Sequence, residues 1–410
     1  MTRIDGYQPD RIGDDIRQTS TGAEAKGSVR LAVAGGGTGG HLFPALAVVK
    51  ALRGKAANLD VIWLTSTRPI DSKILSQNRI SYLAQPVRPF SPRPWHWPGF
   101  YLAWRRSVAL SKQTLEDTGA DVVLGTGGYA AGPAMLAARQ LGLPAAMLNP
   151  DATPGLANRT MSKHATRVFV QWEVTAQHFA PDQAVVVGCP IRQEFLTADK
   201  ARGCEVFNLD PSRPVLLVNG GSQGSRNINL GMLELIGWMR QTFADWQILH
   251  VTGQADFEQV TQSYRTQPGW TAVAFTNDMP LALAAADLVI SRAGASTLAE
   301  ITALGKPSIL LPYPYDRKKH QNDNADVLGR AGAAVVVEDK LDGKANAAAL
   351  KKTLHELMTD QARRQAMAEA SRRVGRPDAA EQVADAILKM AETSKRRNAV
   401  RKVVAAARRG

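Results

Sequence analysis

The stretch "LAVAGGGTGGHLFPALAVVKAL", residues 31–52, runs an apolar segment through a glycine loop into an apolar helical pattern that opens at His41. Gly35, Gly37 and Gly40 satisfy G-x-G-x-x-G between a strand and a helix. Glycines at such a junction let main-chain amides converge, and the helix start adds positive partial charge, so the loop is a seat for anionic oxygens. His41 stands beside that seat, where an imidazole titrating near neutrality can take a proton from a hydroxyl. A helix cap or a solvated ring is the plain alternative for this residue. A dinucleotide site also needs an acid about 20 residues on, at the carboxyl end of the second strand. Asp60 has the spacing but opens "DVIWLT", the wrong end of that strand, and no Lys-Ser/Thr pair makes the loop a Walker motif.

Similar chemistry recurs along the chain. "DVVLGTGGYAAGPAMLAA" supplies Gly125, Gly127, Gly128 and Tyr129 at another strand end, and two such loops in one half suit a diphosphate. Plain strand-to-helix turns are the alternative. In the second half, "GGSQGSR" adds Ser222 and Gln223 as side-chain donors. "DLVISRAGASTLAE" then gives a strand, a tight loop and a helix carrying Glu300, whose carboxylate can accept two hydrogen bonds from a ribose diol. An acid favoured near a helix N-terminus is its bland reading. His320, Gln321 and Asn324 follow the strand "SILLPY" in "HQNDNADVL". No D-x-D pair occurs, so a metal-chelated nucleotide diphosphate is not expected, and Arg192 with the loop amides must neutralise a leaving group.

These loops need strands to carry them. "LAVAG", "DVIWLT", "DVVLGTGG", "AAMLN", "RVFVQ" and "AVVVG", then "PVLLVNGG", "WQILHVTG", "AVAF", "DLVIS", "SILLP" and "AVVVED" are continuous apolar runs between helical patterns. That is the mark of parallel sheets covered on both faces, an α/β doubly wound architecture. The strand, glycine loop and helix unit at 31–52 repeats at 215–236, so the chain reads as two Rossmann-like domains, 29–195 and 196–376. At 410 residues two domains are also the expectation from size. A closing helix over roughly 378–392, within a segment 377–393, would pack across either domain. The first 28 residues read as a flexible polar leader without the apolar core of a secretory signal.

No stretch is long and apolar enough to span a bilayer. Cys189 and Cys204 are too few and too far apart for a disulfide framework or zinc site. The net charge of +13 favours a polyanionic partner, but seven Lys and Arg in the tail 394–410 account for more than half of it and leave +6 elsewhere. A solvated frayed end, a membrane-surface helix and a nucleic-acid contact are the readings of that tail.

"GGGTGGHLFPALA", "GTGGYAAGPAMLAA", "PGLAN", "VVGCPIR", "GGSQGSRNIN", "RAGASTLAEITALGKPSILLPY" and "HQNDNA" occur in the order found in the MurG family, which the chain resembles over about 30–390. That family, in glycosyltransferase family 28, adds N-acetylglucosamine to lipid I in peptidoglycan synthesis. The resemblance implies a GT-B fold with a cleft between the domains, and an inverting transfer from UDP-N-acetylglucosamine to the muramyl 4-hydroxyl of lipid I, giving lipid II. It implies that Gly37, Gly125, Gly127, Gly128 and Tyr129 receive the acceptor diphosphate, and that His41 is the base. Thr38, Gly39 and Gly40 would line the donor sugar and acceptor cleft, Arg192 and Ser222 would contact the UDP diphosphate, and Thr276 would lie at the uracil. Ala295, Ser296, Thr297, Leu298, Ala299 and Glu300 would cradle phosphate and ribose, and Gln321 would reach the sugar. No tightly bound metal or other cofactor and no nucleic-acid partner is expected. The implied place is the cytoplasmic face of the cell membrane, held peripherally.

Three departures accompany the resemblance. In "LNPDATPGLAN", Asp151 occupies the usual sugar-contacting asparagine position and Asn149 that of a glutamate. "TSTRPIDSKIL" lacks the family's Gly-Leu-Glu pattern, with Asp71 standing in for the acid, and the polar and basic tails are additions. "PRPWHWPGFYLAWRRS" places Trp95, Trp97, Phe100, Tyr101 and Trp104 beside Arg105 and Arg106, which suits an anionic membrane surface, with buried packing as the alternative. Rival readings are another GT-B enzyme, such as a glycolipid synthase or a UDP-sugar 2-epimerase, and a non-catalytic basic scaffold.

Overall fold

The computed structural model describes residues 28–221, 223–316 and 318–407. Among these residues the strands are β1 (Ser28–Ala34), β2 (Asn58–Thr65), β3 (Ser81–Ala84), β4 (Val122–Gly125), β5 (Ala145–Asn149), β6 (Arg167–Val170) and β7 (Ala184–Val186), then β8 (Val215–Asn219), β9 (Gln247–Val251), β10 (Trp270–Val273), β11 (Leu288–Ser291), β12 (Ser308–Leu310) and β13 (Ala334–Val336). They form two all-parallel sheets, in the orders β3-β2-β1-β4-β5-β6-β7 and β10-β9-β8-β11-β12-β13. In both, the strand order reverses beside the first strand of the sheet, β1 (Ser28–Ala34) or β8 (Val215–Asn219), whose neighbours include β4 (Val122–Gly125) or β11 (Leu288–Ser291). A crevice opens at the carboxyl ends of strands at such a switch point, and the glycine loops of both halves follow these four strands. The polar leader read over 1–28 lies outside the described residues except for Ser28, which opens β1.

The helices that position the site are α1 (Gly39–Lys55), α2 (Pro69–Gln77), α3 (Trp97–Asp117), α4 (Gly132–Leu141), α5 (Ala295–Ala303), α6 (His320–Arg330) and α7 (Ala379–Ala407). Side chains on β1 alternate faces, as the pleat demands. Leu31 and Val33 meet Leu42, Val48 and Leu52 of α1, whereas Ala32 and Ala34 meet Ala134, Met135 and Ala138 of α4. Small residues on the second face let α4 approach closely.

The chain passes to the second sheet after β7 (Ala184–Val186) and returns before α7. The two crossings touch, since a Cβ added at Gly188 would lie 2.4 Å from Arg376 Cβ. The closing helix packs on the first sheet's core, with Val383, Ala384, Ile387 and Ala391 buried against α1 and β1 residues. It does not stop near 392 but runs unbroken to Ala407. No glycine or proline interrupts 379–407, and the i, i+3, i+4 spacing that buries Ile387 and Ala391 goes on to buried Ser394. A frayed end beginning at 394 is therefore corrected: Lys395 reaches the Ser28 carbonyl and stands 3.7 Å from Asp121.

Candidate functional site

The first glycine loop is built around one buried carboxylate. Asp71, on α2, accepts the Gly37 N–H with both oxygens (2.8 and 3.0 Å) and the hydroxyls of Thr65 (2.9 Å) and Ser66 (2.5 Å). Gly36 must lack a side chain, because a Cβ there would fall 2.4 Å from Asp71 Oδ2. Trp63 Nε1 donates to the Gly35 carbonyl at 2.9 Å. The Gly37 amide, expected to meet an acceptor diphosphate, is thus consumed by Asp71, a correction to the reading of the loop. Thr38 makes no side-chain cap, and with the His41 amide donating to the Thr38 carbonyl at 3.2 Å, the Gly39 and Gly40 amides of the first turn of α1 stay available to an anion. Beside them Arg68 Nη1 donates to the Gly37 carbonyl at 2.8 Å, with its guanidinium 5.8 Å from the centre of the Tyr129 ring. We expect Asp71→Asn to lower stability by about 1–3 kcal/mol in thermal or urea unfolding, since its amide cannot accept four such bonds.

His41 follows on α1. Its Nδ1 lies 3.0 Å from the Thr126 carbonyl, an oxygen that only accepts, so Nδ1 carries the proton and Nε2 has the free lone pair. A Cβ at Gly128 would lie 3.4 Å from that Nε2, which places the ring against the second glycine loop. Burial lowers the imidazole pKa below its usual value, while Asp151, the Thr126 carbonyl and Asp71 pull it back up. The ring is neutral at pH 7 and ready to accept a proton.

The second loop is fastened by amides. Asn158 Oδ1 accepts from the Gly128 N–H at 3.3 Å, Asn158 Nδ2 donates to Asn149 Oδ1 at 2.8 Å, and Asn149 Nδ2 donates to the Asp151 carbonyl at 2.9 Å. Asn149 is therefore a buried link in this chain and holds no base. Gly125 was expected at the acceptor diphosphate, but it ends β4, and a Cβ there would meet Met135 Sδ at 2.8 Å. Its small size serves packing.

Across the cleft, Asn324 joins the halves. Its Oδ1 accepts from Ala152 N (2.8 Å) and its Nδ2 donates to Asp151 Oδ1 (3.1 Å) and the Ala293 carbonyl (3.2 Å). His320 Nδ1 meets the Thr153 carbonyl at 3.0 Å. Pro44 inside α1 has no N–H for the Gly40 carbonyl, which instead faces Ser296 Oγ at 3.5 Å.

The donor side has its own frame. Gly224 takes φ +75° and sits against the Thr252 carbonyl, where a Cβ would clash at 2.0 Å. Arg292 is buried and donates to Ser225 Oγ (2.6 Å) and the carbonyls of Leu311 and Pro312, with Asp339 at 2.7 Å. A cavity of about 400 Å³ opens here, lined by Gly221, Gln223, Arg292, Gly294, Thr297 and Gln321 among others. Gln321 Oε1 accepts from Ala293 N (3.1 Å) and Tyr313 N (3.0 Å), which turns its Nε2 free for a ligand. Gly294 caps α5 without a side chain, and Ala295, Ser296 and Thr297 form its first turn. Leu298 and Ala299 are buried in the core, so only their backbone can serve a ligand.

Glu300 is the sixth residue of α5, beyond the first turn, which removes helix-dipole stabilisation as its explanation. Its carboxyl has no hydrogen-bond partner among the described residues, and burial pushes its pKa up to about 7 against the pull of Arg192. Arg192 is stacked between Phe43 (5.9 Å) and Phe195 (5.2 Å), and donates to the Asn277 carbonyl at 3.4 Å. Thr276 follows β10 (Trp270–Val273) and accepts from Asp278 N at 2.9 Å. Ser222 lies outside the described residues. Burial pushes the Cys189 thiol up to about 12, so it is inert at neutral pH.

Sequence reading passed over Arg68, Arg292, Asp339, Asn158 and Thr126. The arginine before Pro69, three residues from Asp71, was the one local signal; the rest act through contacts remote in sequence.

Comparison with known proteins follows the same division. The description "Glycosyltransferase family 28 N-terminal domain" matches residues 31–170, and "Glycosyltransferase family 28 C-terminal domain" matches 215–383. A protein of Desulforamulus reducens named UDP-N-acetylglucosamine--N-acetylmuramyl-(pentapeptide) pyrophosphoryl-undecaprenol N-acetylglucosamine transferase is 36% identical, covering 86% of this chain and 96% of its own. The protein of that name from Bacillus subtilis is 31% identical over 86% of this chain and 97% of its own. The crystal structure of Acinetobacter baumannii MurG superposes with a TM-score of 0.68 at 26% identity, covering 88% of this chain and 99% of that one. A UDP-GlcNAc 2-epimerase from Neisseria meningitidis, bound to UDP-GlcNAc, shares the fold at 15% identity, with a TM-score of 0.61 and 88% and 100% coverage.

Proposed function

The chain belongs to glycosyltransferase family 28, and from that premise we propose that it transfers N-acetylglucosamine from UDP-N-acetylglucosamine to the muramyl 4-hydroxyl of lipid I, forming lipid II for peptidoglycan. The observation that carries this reading is His41 with its Nδ1 on the Thr126 carbonyl and its Nε2 against the second glycine loop, in a half whose Gly40 and Asp151 meet Ser296 and Asn324 of the donor side.

Nε2 of His41 takes the proton of the 4-hydroxyl as that oxygen attacks C1 of the sugar. The C1–O bond to UDP breaks with inversion, and the electron pair leaves on the diphosphate. Asp151 beside the ring favours the imidazolium that forms. Arg192 and the uncapped first turn of α5 offset the charge on the departing UDP. Glu300 accepts the ribose hydroxyls and Thr276 lies at the base. Ser222 remains a proposed diphosphate contact, and Gln321 Nε2 a donor to the sugar.

Arg68 supplies the acceptor side with the charge that the Gly37 amide cannot. Its Nη1 is anchored on a carbonyl oxygen, which leaves its other N–H groups for the lipid diphosphate. Arg68→Ala is expected to raise KM for a lipid I analogue about tenfold or more while KM for UDP-N-acetylglucosamine stays within about twofold, in steady-state kinetics. Equal KM values for the lipid would remove Arg68 from the acceptor site.

Peripheral contact with the cytoplasmic face of an anionic membrane fits the turn and helix start that carry the aromatics. Trp95 (71%), Trp97 (49%) and Tyr101 (58%) are exposed beside Arg93 and Arg105, although Trp104 packs on Gly132. No helix among the described residues is long and apolar enough to cross a membrane.

The function is tested by transfer from radiolabelled UDP-sugars to a lipid I analogue. N-acetylglucosamine should be preferred over glucose, galactose and N-acetylgalactosamine. Conversion of UDP-N-acetylglucosamine without acceptor would favour an epimerase instead.

A further inference from the structure

At the amino-terminal ends of β5 and β6, whereas the glycine loops follow the carboxyl ends of their strands, a groove of about 820 Å³ runs between the first sheet and α7. Arg139 sits in the last turn of α4, Lys163, His164 and Arg167 precede or open β6 (Arg167–Val170), and Lys389 and Arg397 face them from α7. No carboxylate lines this groove among the described residues.

Two of these cations are ordered by neutral oxygens. Arg167 Nη1 donates to the carbonyls of Thr166 (3.3 Å) and Asp182 (3.2 Å), and Arg397 donates to the Gly142 carbonyl. Arg139 Nη1 donates to His164 Nδ1 at 3.1 Å, so the imidazole accepts in its neutral form. Burial, Arg139 and Lys163 all hold the His164 pKa below its usual value. The guanidinium groups are thus positioned without losing charge to an acid, the arrangement that binds phosphate oxygens.

We infer that this groove binds a soluble oligophosphate anion, free or carried on a nucleoside. Its size suits a ligand larger than a single phosphate, and five permanent cations match several negative charges. A membrane headgroup fits less well. The ten residues of α4, about 15 Å of helix, separate the groove from Gly132, on which Trp104 of the aromatic patch packs.

The test titrates inorganic tripolyphosphate into the full chain by calorimetry near 0.15 M salt, with saturating UDP to occupy the cleft. Saturable one-site binding is expected, weakened at least tenfold in Arg139→Glu/Lys389→Glu, whose exposed positions allow folding to be checked by thermal melt. Lys163→Glu alone should weaken it as well. In NMR titrations the His164 pKa should rise when tripolyphosphate binds, because an anion offsets its cationic neighbours. Absence of saturable binding, or equal binding by the double variant, overturns the inference. Sedimentation with anionic phosphatidylglycerol vesicles forms a second arm. If the double variant lost only vesicle binding, the groove would be a membrane contact and the proposal wrong. None of these readouts uses transfer, so the groove and the transferase reading fail separately.

Discussion

His41→Ala is expected to reduce kcat by about 10²–10⁴-fold, the usual worth of a positioned general base, while UDP affinity changes less than twofold. Its Nδ1 proton is committed to the Thr126 carbonyl, so only Nε2 can act. His41→Gln keeps a polar side chain but no titrating nitrogen, and should be equally slow. The pH profile adds an independent readout. Because burial depresses the imidazole pKa of the empty site, the acid limb that His41 contributes to kcat/KM for the lipid I analogue, which reports the free enzyme, should lie below its usual value of 6.5. Steady-state rates with a short-chain lipid I analogue decide the matter: a variant with normal kcat would show that another group takes the proton.

Glu300→Gln should weaken UDP binding by roughly 10–100-fold, since hydrogen bonds to a charged acceptor are each worth about 1.5–3 kcal/mol. The free carboxyl has a pKa raised from 4.5 to about 7 by burial. Hydroxyls that hydrogen-bond the carboxylate favour its ionised form, so UDP affinity should rise as pH increases through about 7 and level off above it. The stability consequence has the opposite sign. A folded pKa above the unfolded value stabilises the empty protein below about 4.5, and this contribution is lost as pH rises through about 7. Glu300→Gln should flatten both dependences. Calorimetric titration of UDP from pH 5.5 to 8.5 measures the first and thermal melts measure the second. Affinity independent of pH in the native protein, together with a neutral effect of the substitution, would leave the ribose without this partner.

The residues differ in how visible their roles were beforehand. The loop at 35–40 was recognisable as an anion seat, and Asp60 is the third residue of β2 (Asn58–Thr65), far from its carboxyl end, as its place in "DVIWLT" indicated. Asp71 was read as a stand-in for a missing acid, and it holds the loop through four hydrogen bonds. The same contacts remove the Gly37 amide from the acceptor site, which no spacing rule reveals. Asn149 and Gly125 look like site residues by motif, yet one is a buried relay and the other a packing gap. The closing helix outran its expected end because burial of Ser394 and the reach of Lys395 depend on the sheet edge beneath them.

What the amino-acid sequence by itself determined is the pair of doubly wound sheets and the positions of their glycine loops. Those rest on local physics: continuous apolar runs make buried parallel strands, and glycine permits the turns that follow them. Tertiary structure decided the chemistry of the loops. The tautomer of His41 depends on a carbonyl 85 residues away, and the Arg292–Asp339 and Asn324–Asp151 contacts join segments far apart in the chain. A proton or a charge is set by what surrounds the group in space, and that neighbourhood exists only once both sheets have folded and the cleft between them has formed.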